Sequence, residues 1–156
     1  MMELKILWAS MYGNAEYVAN RVDKLAQERN FETEMIELND VTMSSLQKMK
    51  NVAVVTSTTG QGDLPTNGEW FWEDLKKADI DLSNIRYSVC ALGDSSHAEF
   101  CGAGTKVDDR FKELNAKRIL DKQECDGDDA GSHKWAVDFL EKLQQTEDEE
   151  FVWHGS

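Results

Sequence analysis

The chain reads as an α/β fold: a five-stranded parallel sheet in the order 2-1-3-4-5 with helices on both faces, a three-layer sandwich. Three observations predict it. Short apolar runs alternate with stretches of helical periodicity about five times along the chain. The first, third and fourth runs are almost wholly apolar, as strands covered on both faces should be. The second and fifth are more polar, and this strand order puts them at the two sheet edges.

The elements follow in order. Leu4–Ser10 (LKILWAS) is the first strand, and Val18, Val22, Leu25 and Ala26 stripe the helix after it. Phe31–Leu38 (FETEMIEL) is an edge strand, and a short, weak helix is expected from Thr42 to Met49. Val52–Thr58 (VAVVTST) is central, with Phe71, Leu75 and Ala78 marking the next helix. Trp70 and Trp72 flank Phe71; simple packing is the favoured expectation for them, with one packed and the other exposed as a docking aromatic the alternative. Tyr87–Asp94 (YSVCALGD) is the fourth strand, and Val107, Phe111 and Leu114 face the core from the helix behind it. Lys117–Cys125 (KRILDKQEC) closes the sheet, and Trp135, Phe139, Leu140 and Leu143 stripe the last helix.

The 156 residues suit one domain with a real core, here residues 1–145; residues 146–156 are an acidic tail expected to fray. There is no internal repeat and no interdomain linker. No apolar run approaches the roughly 20 residues of a membrane span, and no basic-then-apolar leader opens the chain, so a cytoplasmic address is expected. The formal net charge of −13 argues against nucleic acid and is compatible with a basic protein partner, or with solubility alone. Cys90, Cys101 and Cys125 form no CxxC pair and read as reduced thiols, not as a disulfide frame or a metal site.

Three loops meet at the carboxyl ends of the central strands. In SMYGNA, Ser10 to Ala15, a glycine and small polar residues open directly into a helix. A helix start leaves about four backbone N–H groups free, which suits an anion; a tight turn capped by Asn14 is the other reading. STTGQGDLPTNG, Ser57 to Gly68, is a longer exit than a buried strand needs. LGDSSHAEFCGAG, Leu92 to Gly104, adds Gly, Asp and Ser at a strand end, then His97 and Phe100. Each loop alone also reads as an ordinary turn, but together they point to a ligand site.

These loops resemble the three FMN-binding loops of short-chain flavodoxins and of the flavodoxin-like domains of diflavin reductases. The likeness runs from Leu4 to about Leu143, without the inserted loop of the long-chain class; with no reductase domain following, a free-standing carrier is expected. The resemblance implies that Ser10, Met11, Tyr12, Gly13, Asn14 and Ala15 hold the FMN phosphate. Ser57, Thr58, Thr59 and Gly60 would line one side of the isoalloxazine, and Leu92, Gly93, Asp94, His97, Phe100 and Cys101 the other side and the ring edge. Tyr12 stands where the family usually has Thr, and His97 where a stacking Tyr is usual. Weaker flavin retention, a pH-dependent potential, or both are expected from these departures; a surface His97 that leaves the ring unstacked is the alternative.

The resemblance further implies a low-potential, one-electron carrier that exchanges electrons with a basic-surfaced reductase and an acceptor protein, acting as a monomer with no substrate of its own. Turning the Gly60 carbonyl toward the protonated ring would favour the one-electron state. A carboxylate about 10 Å from the ring adds roughly 1.7 kcal/mol against the second electron at an effective dielectric near 20. Asp63, Glu69, Asp94 and Glu99, with Glu73 and Asp74, are the acids placed to do this and to meet a basic partner. A phosphoacceptor receiver would need carboxylates where the strands end Ala9-Ser10 and Ser57-Thr58, and an NAD enzyme would need GxGxxG after the first strand. A hydrolase would need a base beside a nucleophile, and neither His97, His133 nor His154 has such a setting; no catalytic and no metal-binding residue is expected. A flavodoxin-like interaction module that binds FMN weakly or not at all is the remaining alternative.

Overall fold

The computed structural model describes residues 2–93, 101–127 and 129–155, with side chains up to residue 147. The strands are β1 (Glu3–Ala9), β2 (Glu32–Glu37), β3 (Asn51–Thr56), β4 (Arg86–Gly93), β5 (Lys117–Arg118) and β6 (Gln123–Asp126). The helices are α1 (Asn14–Glu28), α2 (Met43–Gln47), α3 (Glu69–Lys77), α4 (Gly102–Glu113) and α5 (Ser132–Gly155). The sheet is parallel throughout in the order β2-β1-β3-β4-β5, with β6 also paired to β4. This is the expected order.

Strand alternation builds two cores. Leu4 and Ile6, Ala53 and Val55, and Cys90 and Leu92 face one side, where Val18, Val22, Phe139 and Leu140 of α1 and α5 cover them. Leu7 and Ala9, Val52 and Val54, and Tyr87, Val89 and Ala91 face the other, beneath Phe71, Leu75, Val107 and Phe111 of α3 and α4. Each fully buried large aliphatic or aromatic side chain stabilises the fold by about 1.5–3 kcal/mol, so both faces matter.

Both long helices that lead back to edge strands stop in the same way. At the end of α1, Asn30 takes φ +66 while Phe31 N–H donates to Ala26 O (3.0 Å) and Asn30 N–H to Gln27 O (3.1 Å). At the end of α4, Asn115 takes φ +76, with Ala116 N–H to Phe111 O (3.0 Å) and Asn115 N–H to Lys112 O (3.0 Å). Asparagine tolerates the left-handed conformation that this helix stop requires. The weak helix expected from Thr42 is α2, started by a capping box in which Ser45 N–H donates to Thr42 Oγ1 (3.0 Å).

The last strand differs from expectation. The stretch 117–125 is not one strand but two segments, and the register slips between them: Tyr87 faces Arg118, whereas Cys90 faces Gln123. A buried polar relay fills the break. Trp135 Nε1–H donates to Ser88 Oγ (2.8 Å), and Ser88 Oγ–H donates to Leu120 O (2.9 Å), giving that carbonyl a partner outside the strand ladder.

At the amino end of β4, Tyr87 Oη–H donates to Asp108 Oδ1 (2.8 Å), and Arg118 Nε–H donates to the same oxygen (2.9 Å). Asp108 is buried, so these bonds satisfy a carboxylate that would otherwise be costly. They tie α4 to β4 and β5. The three cysteines are buried and form no disulfide, and helical backbone in α5 continues to Gly155, through the acidic segment.

Candidate functional site

The chain leaves β1 for β2 on one side of the sheet and β3 for β4 on the other. The strand order therefore reverses between β1 and β3, where the carboxyl ends open a crevice. A cleft of ≈ 240 Å³ lies there. Met11, Tyr12 and Asn14 line it from the first loop, Ser57 and Thr58 from the second, Leu92 and Gly93 from the end of β4, and Gly127 from the turn after β6.

The first loop is shaped by Ser10 and Gly13. Ser10 Oγ accepts from Gly13 N–H (2.9 Å) and Ala15 N–H (3.2 Å), and Ser10 N–H donates to Asn67 Oδ1 (3.1 Å). Gly13, not Asn14, is the cap of α1; it sits at φ +92, where a side chain would be strained although the space is open. Met11 and Tyr12 are exposed, Tyr12 to 85%.

The second loop begins with Ser57 N–H donating to Ala9 O (3.0 Å), which carries the β1–β3 pairing past the strand end. Thr58 Oγ1 accepts from Ala103 N–H (3.3 Å) in the first turn of α4. Thr59 and Asp63 then exchange both backbone hydrogen bonds at 2.8 Å, closing a turn around Gly60 (φ +51) and Gly62 (φ +80). This turn lies directly on α4: a Cβ on Gly102 would fall 2.9 Å from Gly62 Cα. Lys106 Nζ reaches Asp63 Oδ1 at 3.4 Å across the same contact.

Of the third loop the structure describes the two ends; Asp94, His97 and Phe100 lie outside the described residues. Gly93 abuts Cys101 so closely that a Cβ would meet the Cys101 nitrogen at 2.8 Å. Cys101 takes φ +54 and points inward, its thiol donating to Ala91 O (3.3 Å). Burial pushes that thiol up to about 12. Gly127 N–H donates to Gly93 O (2.6 Å), so the turn after β6 joins the cleft wall.

The structure thus brings Met11, Tyr12, Asn14, Ser57, Thr58, Leu92 and Gly93 to one cleft. Ser10, Gly13 and Ala15 stand behind it, joined by the Ser10 hydroxyl, and Thr59 and Gly60 form the adjoining turn. Cys101 is buried behind Gly93 and does not line the cleft. Sequence reasoning missed Gly127 and Asn67. The Asp126-Gly127 pair after the last strand is a turn signal that could have found the first. Asn67 acts from a distant loop, and no local pattern marks it. Of the two tryptophans, Trp72 packs against the core and Trp70 is 72% exposed.

A doubly wound parallel sheet in this strand order, with its crevice at the β1–β3 reversal, defines a flavodoxin-like α/β protein. A family model described as flavodoxin matches residues 6–145, and the chain belongs to the flavodoxin family. It is 34% identical over 145 residues to a sulfite reductase (NADPH) flavoprotein alpha-component of Bacillus subtilis (strain 168), covering 92% of this chain and 24% of that protein. It is 40% identical over 124 residues to an NADPH-dependent diflavin oxidoreductase 1 of Emericella nidulans, covering 78% of this chain and 19% of that protein. The chain therefore spans a quarter or less of the length of these two relatives. Among solved structures, a flavodoxin of Streptococcus pneumonia TIGR4 superposes with TM-score 0.81 at 29% identity, covering 92% of this chain and 99% of that one. A short-chain flavodoxin associated with a non-canonical PDU bacterial microcompartment superposes with TM-score 0.82 at 27% identity, covering 94% and 99%.

The cofactor of the family is FMN, and the cleft fits it. Among the described residues no carboxylate lines the cleft. The helix start at Gly13 offers backbone donors, and Met11 and Leu92 offer an apolar wall to a flat ring. No helix among the described residues is long and apolar enough to cross a membrane.

Proposed function

We propose that the chain is an FMN-dependent electron carrier, passing low-potential electrons one at a time between a reductase and acceptor proteins in the cytoplasm. The observation that carries this reading is the cleft at the β1–β3 reversal, lined by Asn14, Ser57 and Thr58 with Met11 and Leu92, and backed by a helix whose first turn opens on a left-handed glycine. FMN, when bound, supplies one- and two-electron chemistry. The chain supplies the rest. Ser10 and the amides of residues 11–15 would hold the phosphate, the Gly13 and Ala15 N–H groups exchanging the Ser10 hydroxyl for the stronger charged acceptor. Ser57, Thr58 and Thr59 would line one side of the ring and Leu92 and Gly93 the other, with Asp94, His97 and Phe100 completing that side and its edge, while Cys101 packs behind Gly93. Gly60 would turn its carbonyl toward a ring N–H, a peptide rotation that glycine makes inexpensive. The names of the curated relatives support an NADPH-linked flavoprotein as the electron donor. The acidic surface supports partners of opposite charge, and the carrier itself is read as a monomer.

The test is a titration of apoprotein with FMN and with riboflavin, followed by calorimetry. FMN is expected to bind at least tenfold more tightly, because only it carries the anion. Equal affinities would remove the first loop from the phosphate site, and no binding of either would leave a flavin-free interaction module.

A further inference from the structure

A second cleft, of ≈ 460 Å³, shares Met11 with the cofactor cleft. Two asparagines hold its walls. Asn39 Oδ1 accepts from Trp70 N–H (3.0 Å) and Phe71 N–H (3.2 Å), and Asn39 Nδ2 donates to Thr66 O (2.9 Å). Asn67 Oδ1 accepts from Ser10 N–H (3.1 Å), and its amide donates to Glu37 Oε2 (3.4 Å). These polar groups are engaged within the walls. The first amides of α3 are among them, so an anion finds those donors taken.

What remains toward solvent is different chemistry. The Glu69 carboxylate is exposed and makes no ion pair among the described residues. The Trp70 indole beside it is 72% exposed, and the Met11 thioether is 54% exposed. No basic side chain lines the cleft among the described residues. Glu69 and Trp70 both line the cleft, and a carboxylate together with an exposed indole suits a flat cation. Guanidinium can bond a carboxylate through two N–H groups and stack on indole, which an ammonium cannot do. Exposed Asp40 follows the lining residue Asn39 in sequence, and the chain as a whole carries −13, so a macromolecule bringing that cation is attracted.

We propose that this cleft seats an arginine side chain of a basic protein partner. The anchor would hold that partner against the loop that binds the cofactor phosphate. The assignment rests on the reading of the chain as a carrier that docks with proteins, and it specifies where they dock.

The test uses the full chain, 15N-labelled, with hexa-arginine and hexa-lysine peptides as probes. Hexa-arginine is expected to shift the Trp70 indole N–H resonance and to bind more tightly than hexa-lysine. Trp70→Ala is expected to weaken hexa-arginine about threefold, the scale of an exposed cation–π contact. Glu69→Gln is expected to weaken it, whereas Glu28→Gln, the same charge change at the far end of α1, leaves it unchanged. Equal effects of Glu69→Gln and Glu28→Gln, a still Trp70 resonance, or equal binding of both peptides would overturn the proposal. FMN affinity is measured on the same variants. Its loss in Trp70→Ala or Glu69→Gln would place the cleft inside the cofactor site and also overturn the proposal. Failure of the unaltered chain to take FMN would instead defeat the carrier reading, while the peptide result stands separately.

Discussion

Gly104→Ala opposes two effects whose sizes decide its sign. Alanine in place of this glycine, in the first turn of α4, should favour the helix by at most about 1 kcal/mol. Packing opposes it. A Cβ at Gly104 would start 2.3 Å from Ala91 Cβ and 3.1 Å from Ala91 Cα, with Val89 Cγ1 at 3.4 Å. Carbon contacts settle at about 3.5–4.0 Å, so α4 must retreat from β4 by about an ångström. Neither methyl can rotate away, because both are fixed to backbone. Overpacking of this kind costs about 1–3 kcal/mol, and the net loss expected is about 1–2 kcal/mol. For a domain of this size that lowers Tm by roughly 2–8 °C. Urea unfolding of the apoprotein reads the stability directly. The same helix carries Gly102 against Gly62, so FMN affinity should fall together with stability. A Gly104→Ala variant as stable as the unaltered chain, or more so, would refute the packing argument and leave helix propensity in control.

Asp108→Ala should cost about 3 kcal/mol in urea unfolding, the low end for breaking a buried pair, because Arg118 keeps some access to water. Asp108→Asn, which leaves an acceptor for Tyr87, should cost less. Ser10→Ala should lower stability by about 1 kcal/mol, as the loss of a cap does, and should also weaken FMN binding in a calorimetric titration. Alkaline pH should destabilise the fold. Burial raises the Cys101 thiol to about 12, against an ordinary value of 9.0, and the thiol–thiol contact with Cys125 raises Cys90 with burial adding to it. Between those limits the unfolded chain releases protons that the folded chain retains, so stability is full below pH 9 and falls as pH rises toward 12. Urea midpoints taken from pH 7 to 10.5 should decline, and Cys101→Ala should flatten the slope.

The sheet order was legible because it rests on local composition. The runs around Ile6, Val54 and Val89 are apolar enough to demand cover on both faces, and the polar run around Glu34 is not. Most of the cleft was legible for a similar reason: its residues sit within a few positions of strand ends, where Gly13, Ser57 and Gly93 stand out. What lay hidden depends on long-range partners. The break after Arg118 is made by Ser88 and Trp135, and nothing in the stretch 117–125 announces them. The support of the first loop by Asn67 spans 57 positions. Asn39 is equally silent, although it holds the start of α3 from across the sheet edge.

The slipped register of the last strand has a consequence for how copies of this chain behave in a crowded solution. An open sheet ends in rows of unpaired backbone groups that invite a neighbouring chain to add a strand. At one border, β2 carries three glutamates, Glu32, Glu34 and Glu37, of which Glu34 pairs with Lys5, and this charged edge discourages an approaching strand. At the other, β5 and β6 are only 2 and 4 residues long and out of step, so no straight template persists for a foreign strand to follow. One flank repels and the other interrupts, and together they guard the sheet against growth into fibres.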